Sequence, residues 1–138
     1  MRVFIDTSAF IAVLNANDQN HSPAKAAWYD LLQQETDLIC NNYVLVEVIA
    51  LLQNRFGIEA VRLFNDGILP VVDIIWVDKL IHSRAVSAIL AANRRRLSLV
   101  DCTSFETMRD LGVSRAFAFD SHFTEQGFEV IPMIGIGP

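Results

Sequence analysis

Short apolar runs in this chain end in polar or acidic residues, and each is followed by a segment whose apolar positions recur every three or four residues. Val3-Phe4-Ile5 runs directly into Asp6-Thr7-Ser8, and an apolar-periodic segment over 9–14 follows. That pattern predicts a short buried strand handing over to a helix. Residues 15–21 are a polar turn. Ser22-Pro23 predicts the next helix start, with serine as cap and proline at the first helical position, and a face burying Ala26, Ala27, Leu31 and Trp28. Leu38-Ile39-Cys40 reads as a second strand, and Asn41-Asn42 as the cap of a helix over 43–56 that Gly57 ends. A helix over 58–69, with Val61, Leu63 and Phe64 inward, completes a helical hairpin with apolar surface to offer a partner. A third strand follows over 71–77, and Asp78 caps a helix reaching about Arg95. A helix over 98–111, a fourth strand over 116–119, a fifth over 129–131 and a loose tail at 135–138 complete the chain.

Strands alternating with helices imply a parallel five-stranded sheet flanked by helices on both faces, an α/β fold in three layers. The 138 residues carry no repeat, linker or low-complexity stretch, so residues 1–138 are expected to form one domain. A hydrophobic content of 52% with 20% charged residues suits a well-buried core rather than disorder. The net charge of −5, with nine arginines and two lysines, is not that of a broadly basic DNA-reading module. It is compatible with a nucleic-acid-cutting protein whose negative charge is concentrated at a metal site. Cys40 and Cys102 lack paired spacing and read as buried thiols in a reducing compartment. Arg2 and Asp6 interrupt any signal-peptide core, and no apolar run nears the ~18 residues of a membrane helix. A cytoplasmic protein without a membrane segment is expected.

In parallel α/β sheets chemistry collects beyond the carboxyl ends of the strands. Asp6 ends the first predicted strand and Asp120 the fourth, although an aspartate in such a place is most often only a helix cap. Glu47 lies in Tyr-Val-Leu-Val-Glu-Val-Ile-Ala-Leu-Leu, where its helical neighbours Tyr43, Val44, Ala50 and Leu51 are apolar or aromatic. A carboxylate there wants a cation, because burying it unpaired costs several kcal/mol, roughly, or forces it neutral. Asp101 stands three residues after Ser98, the spacing of a capping box. Four acids arriving at one edge would repel heavily, at about 4 kcal/mol for a pair 4 Å apart in an effective dielectric of 20. A hard divalent ion relieves that repulsion and can activate water for phosphodiester hydrolysis.

Phe4-Ile5-Asp6-Thr7-Ser8-Ala9-Phe10, the Glu47 helix, Leu99-Val100-Asp101 and Phe119-Asp120-Ser121-His122-Phe123 together resemble the four acidic motifs of PIN-domain ribonucleases. The closing segment from Phe119-Asp120 to Phe128-Glu129-Val130-Ile131 is similar to that of VapC-type toxins of toxin–antitoxin pairs. The resemblance covers nearly the whole chain in order and spacing. It implies a PIN-like fold with Asp6, Glu47, Asp101 and Asp120 as catalytic and metal-binding acids around Mg²⁺ or Mn²⁺. Ser8 matches a hydroxyl position that supports the site, and Ser104 is a second hydroxyl candidate for that role. The implied activity is a metal-dependent endoribonuclease, in which water attacks phosphorus in line and the 3′-oxygen leaves. The implied partners are an RNA substrate, a small antitoxin blocking the cleft, and a second copy in a homodimer.

Arg94-Arg95-Arg96 could contact RNA phosphates, although such a run is more often a solvated helix end. His122 reads as a loop or supporting residue, His21 and His82 lack zinc-ligand spacing, and Trp28, Trp76 and the phenylalanines read mostly as core. A haloacid-dehalogenase-like phosphatase also opens on a strand ending in aspartate, but wants a second aspartate where this chain has Ser8. A non-catalytic RNA-binding or scaffold module is the rival from another class. Four clustered carboxylates without a metal would only destabilise it and repel RNA.

Overall fold

A computed structural model describes residues 1–133 of the chain. It contains β1 (Arg2–Ile5), α1 (Thr7–Leu14), α2 (His21–Gln33), β2 (Asp37–Asn41), α3 (Asn42–Phe56) and α4 (Ile58–Leu63). A π-helical turn over Phe64–Ile68 and a 3₁₀ turn over Leu69–Val71 lead to β3 (Val72–Ile75). Then come α5 (Lys79–Ala92), α6 (Leu99–Leu111), β4 (Arg115–Phe117), α7 (Ser121–Glu125) and β5 (Glu129–Ile131). The expected tail at 135–138 lies outside the described residues.

All five strands are parallel, in the order β3-β2-β1-β4-β5. Central β1 pairs Val3 with Leu38 and Phe4 with Ile39 on one side, and Phe4 with Ala116 and Ile5 with Phe117 on the other. Successive strand side chains point to opposite faces, and Val3, Phe4 and Ile5 are all fully buried. Both faces of the sheet are therefore covered, which gives the expected three layers. The chain winds outward from β1 through β2 to β3, then returns to place β4 on the other flank of β1. The order thus reverses between β1 and β4, where a crevice opens beyond the carboxyl ends of the strands.

The helix starts follow local chemistry. Asn41, fully buried at the end of β2, accepts the Val44 amide on Oδ1 at 2.9 Å and donates Nδ2 to Thr107 Oγ1 at 3.1 Å. One side chain so caps α3 and ties it to α6. Asp78 caps α5 through the Ile81 amide, and Ser98 with Asp101 forms a reciprocal capping box on α6.

Several expectations are corrected. The second helix begins at His21 after Asn20, so Ser22 is inside the helix and is not its cap. The helix expected over 58–69 stops at Leu63 and widens into the π turn, whose first residue, Phe64, is fully buried edge-to-face against Phe10 at 5.1 Å. Val61 and Phe64, three apart, share the inward side, which turns Leu63 outward at 62% exposure. The third strand is shorter than 71–77, the fourth ends at Phe117, and the helix after Asp78 stops at Ala92, where Asn93 adopts left-handed φ of 50°. Trp28 is core as expected, but Trp76 is 72% exposed. Cys40 and Cys102 are free and buried, and burial pushes the Cys40 thiol up to about 12, which makes it unreactive. Among the described residues no helix is long and apolar enough to cross a membrane.

Because Asn41 serves a cap and a buried side-chain bond at once, Asn41→Ala is expected to lower unfolding free energy by about 2 kcal/mol. Urea denaturation at equilibrium measures this, and a loss below about 0.5 kcal/mol would show the pair of bonds to be dispensable.

Candidate active site

Three of the four acids singled out in the sequence converge on the crevice between β1 and β4. Each is held there because it caps or opens a helix. Asp6, directly after β1, is the N-cap of α1, and its Oδ2 accepts the Ser8 amide at 3.2 Å and the Ser8 hydroxyl at 2.6 Å. Asp101 is the third residue of α6, and its Oδ2 accepts the Ser98 amide at 3.1 Å. Asp120 is the N-cap of α7, and its Oδ1 accepts the His122 amide at 2.9 Å. Among the described residues, the second oxygen of each carboxylate has no protein donor. Three helix N-termini therefore hold the acids by one oxygen apiece and leave the other without a protein donor, and the helix dipoles favour negative charge there.

The electrostatics are unbalanced. Asp6 is 3% exposed, and its carboxyl is pushed up to about 7, chiefly by burial and further by the charges of Asp101 and Asp120, against the lowering effect of the Ser8 bonds. Burial also raises Asp101, with Asp120 adding to it and the Ser98 bonds and His122 opposing it. Among the described residues, no lysine or arginine lies within 4 Å of any of the three. Helix dipoles, hydroxyl and amide bonds and the His122 ring face this cluster without a permanent positive charge, which is the arrangement a cation relieves.

Glu47 stands apart. It is half-buried in the second turn of α3, a helix that packs against α1 and α6, but it is not among the charges acting on Asp6 or Asp101. Ser8 does what a supporting hydroxyl should: Oγ donates to Asp6 and accepts the Phe119 amide at 2.9 Å, joining the turn after β1 to the segment after β4. Ser104 is fully buried and gives its hydroxyl to the Val100 carbonyl one turn back at 3.0 Å, not to an acid. Arg94, Arg95 and Arg96 lie exposed in the turn between α5 and α6, and Arg94 pairs with Glu125 at 2.9 Å.

His122 is the residue that sequence reading undervalued. Its ring is 12% exposed, with Nδ1 sealed from solvent 2.9 Å from Asp120 Oδ1 and 3.4 Å from Asp101 Oδ2, yet without hydrogen-bond geometry to either. One ligand atom each from Asp101, Asp120 and His122 fall within 4.8 Å of one another. The available signal was local. A capping aspartate brings the residue two positions on beside its own carboxylate, as Asp6 does with Ser8 and Asp120 with His122. An apolar cavity of about 580 Å³, lined by Phe119, Asp120, Thr124, Phe128 and Val130 among others, adjoins Asp120 on the β5 side.

A parallel sheet with buried aspartates crowded at its switch point is the architecture of PIN-type domains. The PIN domain family model matches residues 3–129, and the chain belongs to that family. It is 35% identical over 132 residues to "23S rRNA-specific endonuclease VapC20" of Mycobacterium tuberculosis, in strains CDC 1551 / Oshkosh and ATCC 25618 / H37Rv, covering 94% of this chain and 98% of that one. The crystal structure of Mycobacterium tuberculosis VapC20, described as a Sarcin-Ricin loop cleaving toxin, superposes with a TM-score of 0.80 at 34% identity over 91% of this chain and 95% of that one. FitAcB from Neisseria gonorrhoeae, at a TM-score of 0.68 and 16% identity over 94% and 96% of the two chains, shares the fold.

The raised Asp6 has a measurable consequence in metal-free protein. The folded state holds the Asp6 proton up to about pH 7, whereas the unfolded chain releases it near 3.8. This contribution to stability is full below pH 3.8 and is lost as pH rises towards 7. Asp6→Asn is expected to remove that slope and to stabilise the metal-free fold at pH 8 by on the order of 2 kcal/mol. Thermal melts of both proteins in chelator across pH 5–8, roughly the window concerned, measure it, and parallel melting curves would contradict it.

Proposed function

We infer that this chain is a metal-dependent endoribonuclease that hydrolyses RNA phosphodiester bonds, as the toxin of a toxin–antitoxin pair. The observation that carries the reading is the crowding of Asp6, Asp101 and Asp120 at the switch point with, among the described residues, no lysine or arginine beside them. Similarity at 35% identity to a protein named as a 23S rRNA-specific endonuclease supports RNA, and large ribosomal RNA is the first substrate to try.

The residues present fit a divalent cation. Oxygen donors dominate, each aspartate keeps one oxygen unengaged by protein donors, and the sealed Nδ1 of His122 faces two of the carboxylates without a partner. Asp6, Asp101 and Asp120 would hold Mg²⁺ or Mn²⁺, and Glu47, approaching from α3, would help position the attacking water. When bound, such an ion activates water and neutralises charge on the phosphate and leaving oxygen. Ser8 fixes the Asp6 carboxylate, and the capping bonds on Asp101 and Asp120 restrict those side chains, so the acids are pre-set before RNA arrives. The apolar cavity beside Asp120 offers room for a base next to the scissile phosphate. Exposed Phe56, Ile58 and Leu63 make the α3–α4 hairpin an apolar surface for a small antitoxin to cover. A homodimer accords with the VapC-type resemblance, and sedimentation velocity measures it.

Purified chain freed of any small partner is expected to cut ribosomal RNA only with Mg²⁺ or Mn²⁺. Asp6→Asn and Asp101→Asn should each reduce the rate by about a hundredfold or more. Equal cutting by wild type and both variants would assign the activity to a contaminant. Arg95 and Arg96 have no ion pair among the described residues. If they touch phosphates, the double alanine variant should weaken RNA binding irrespective of sequence and lower the log–log salt slope by roughly 0.7 per residue. An unchanged slope would leave them as a solvated turn.

A further inference from the structure

The imidazole of His122 faces the acids under conditions that neither ordinary histidine role satisfies. Its ring is mostly buried on α7, and α7 is fixed from below by Phe123, fully buried and edge-to-face with Phe105 at 5.0 Å. If Nδ1 carries a proton, the nitrogen has two carboxylate oxygens at 2.9 and 3.4 Å but its N–H is aimed properly at neither. If Nδ1 carries its lone pair, three electron-rich atoms face one another around a nitrogen that solvent does not reach. A cation among the three resolves both conflicts. Ligands about 2.0–2.2 Å from a common ion stand no more than about 4.4 Å apart. The donor atoms of Asp101, Asp120 and His122, within 4.8 Å of one another, need little movement to meet that limit.

We propose that His122 Nδ1 is a direct ligand of the ion held by Asp101 and Asp120, so that the site is a mixed nitrogen–oxygen site and not a set of carboxylates alone. The proposal rests on the reading of the acidic cluster as a metal site. It gives that site a preference. Mg²⁺ is served by oxygen ligands, whereas imidazole suits first-row transition ions, so a nitrogen donor shifts selection towards an ion such as Mn²⁺. The proton of the liganding imidazole then resides on Nε2. The other two histidines are occupied elsewhere: His21 Nδ1 meets the Ala12 carbonyl at 2.8 Å, and His82 Nδ1 meets the Tyr43 hydroxyl.

Pulsed electron paramagnetic resonance on the full chain loaded with Mn²⁺ alone tests this without any turnover. Wild type is expected to show ¹⁴N modulation from a directly bound nitrogen. His122→Asp and His122→Ala should bind Mn²⁺ without it. In competition titrations, His122→Asp should lower the preference for Mn²⁺ over Mg²⁺ by about tenfold. Bound Mn²⁺ with no ¹⁴N coupling in wild type, or with unchanged coupling in the variants, would overturn the histidine ligand and leave the metal-site reading standing. Failure of wild type to bind Mn²⁺ would overturn both. The wild-type spectrum decides the matter even if a variant folds poorly.

Discussion

Mutual repulsion among carboxylates at the switch point between β1 and β4 is the constraint on which the rest of the structure depends. Three carboxyl groups share a crevice with no arginine or lysine beside them among the described residues, and Asp6, chiefly through its burial and further through its two acidic neighbours, holds its proton to about pH 7. The fold tolerates this because each acid also does local work. Asp6 caps α1, Asp101 closes the box on α6, and Asp120 caps α7. Removing the charge would relieve the crevice and weaken helix starts at the same time. Stability and chemistry are thus opposed at the same atoms, as expected where a site is built from strained electrostatics.

The sheet order determines which acids meet. β1 and β4 are neighbours although more than a hundred residues separate them, and α6 is the helix that carries the chain into β4. Asp6, Asp101 and Asp120 therefore come from the two strand ends that flank the crevice and from the helix feeding one of them. Glu47 belongs to α3, which follows β2 on the other flank of β1, and its half-buried place outside the mutually interacting set follows from that origin.

Much of this was legible in the sequence because it is local. Strand followed by acid followed by periodic helix is a short-range pattern, and Ser98 with Asp101 announces its capping box by spacing alone. The parallel sheet followed from the alternation of elements, and the family from the order of the acidic motifs. What escaped depends on tertiary packing. Leu63 and Phe64 look alike in sequence, and only the π turn and the Phe10 ring decide which faces in. Trp76 reads as core by composition, yet the sheet ends before it and leaves it outside. His122 was undervalued because its meaning depends on Asp101, which arrives from a different helix.

The Ser8 hydroxyl bridges the Asp6 carboxylate and the Phe119 amide across 111 positions of sequence. The crevice is therefore complete only once β4 stands beside β1. Before β4 docks beside β1, Asp6 is a solitary helix cap with no acidic neighbours, and the Phe119 amide has not arrived to hold Ser8 in place. A growing chain that has not yet released Phe119 and Asp120 has no assembled site. Competence is thus withheld from the growing polypeptide until β4 and the segment behind it have been made and have docked beside β1.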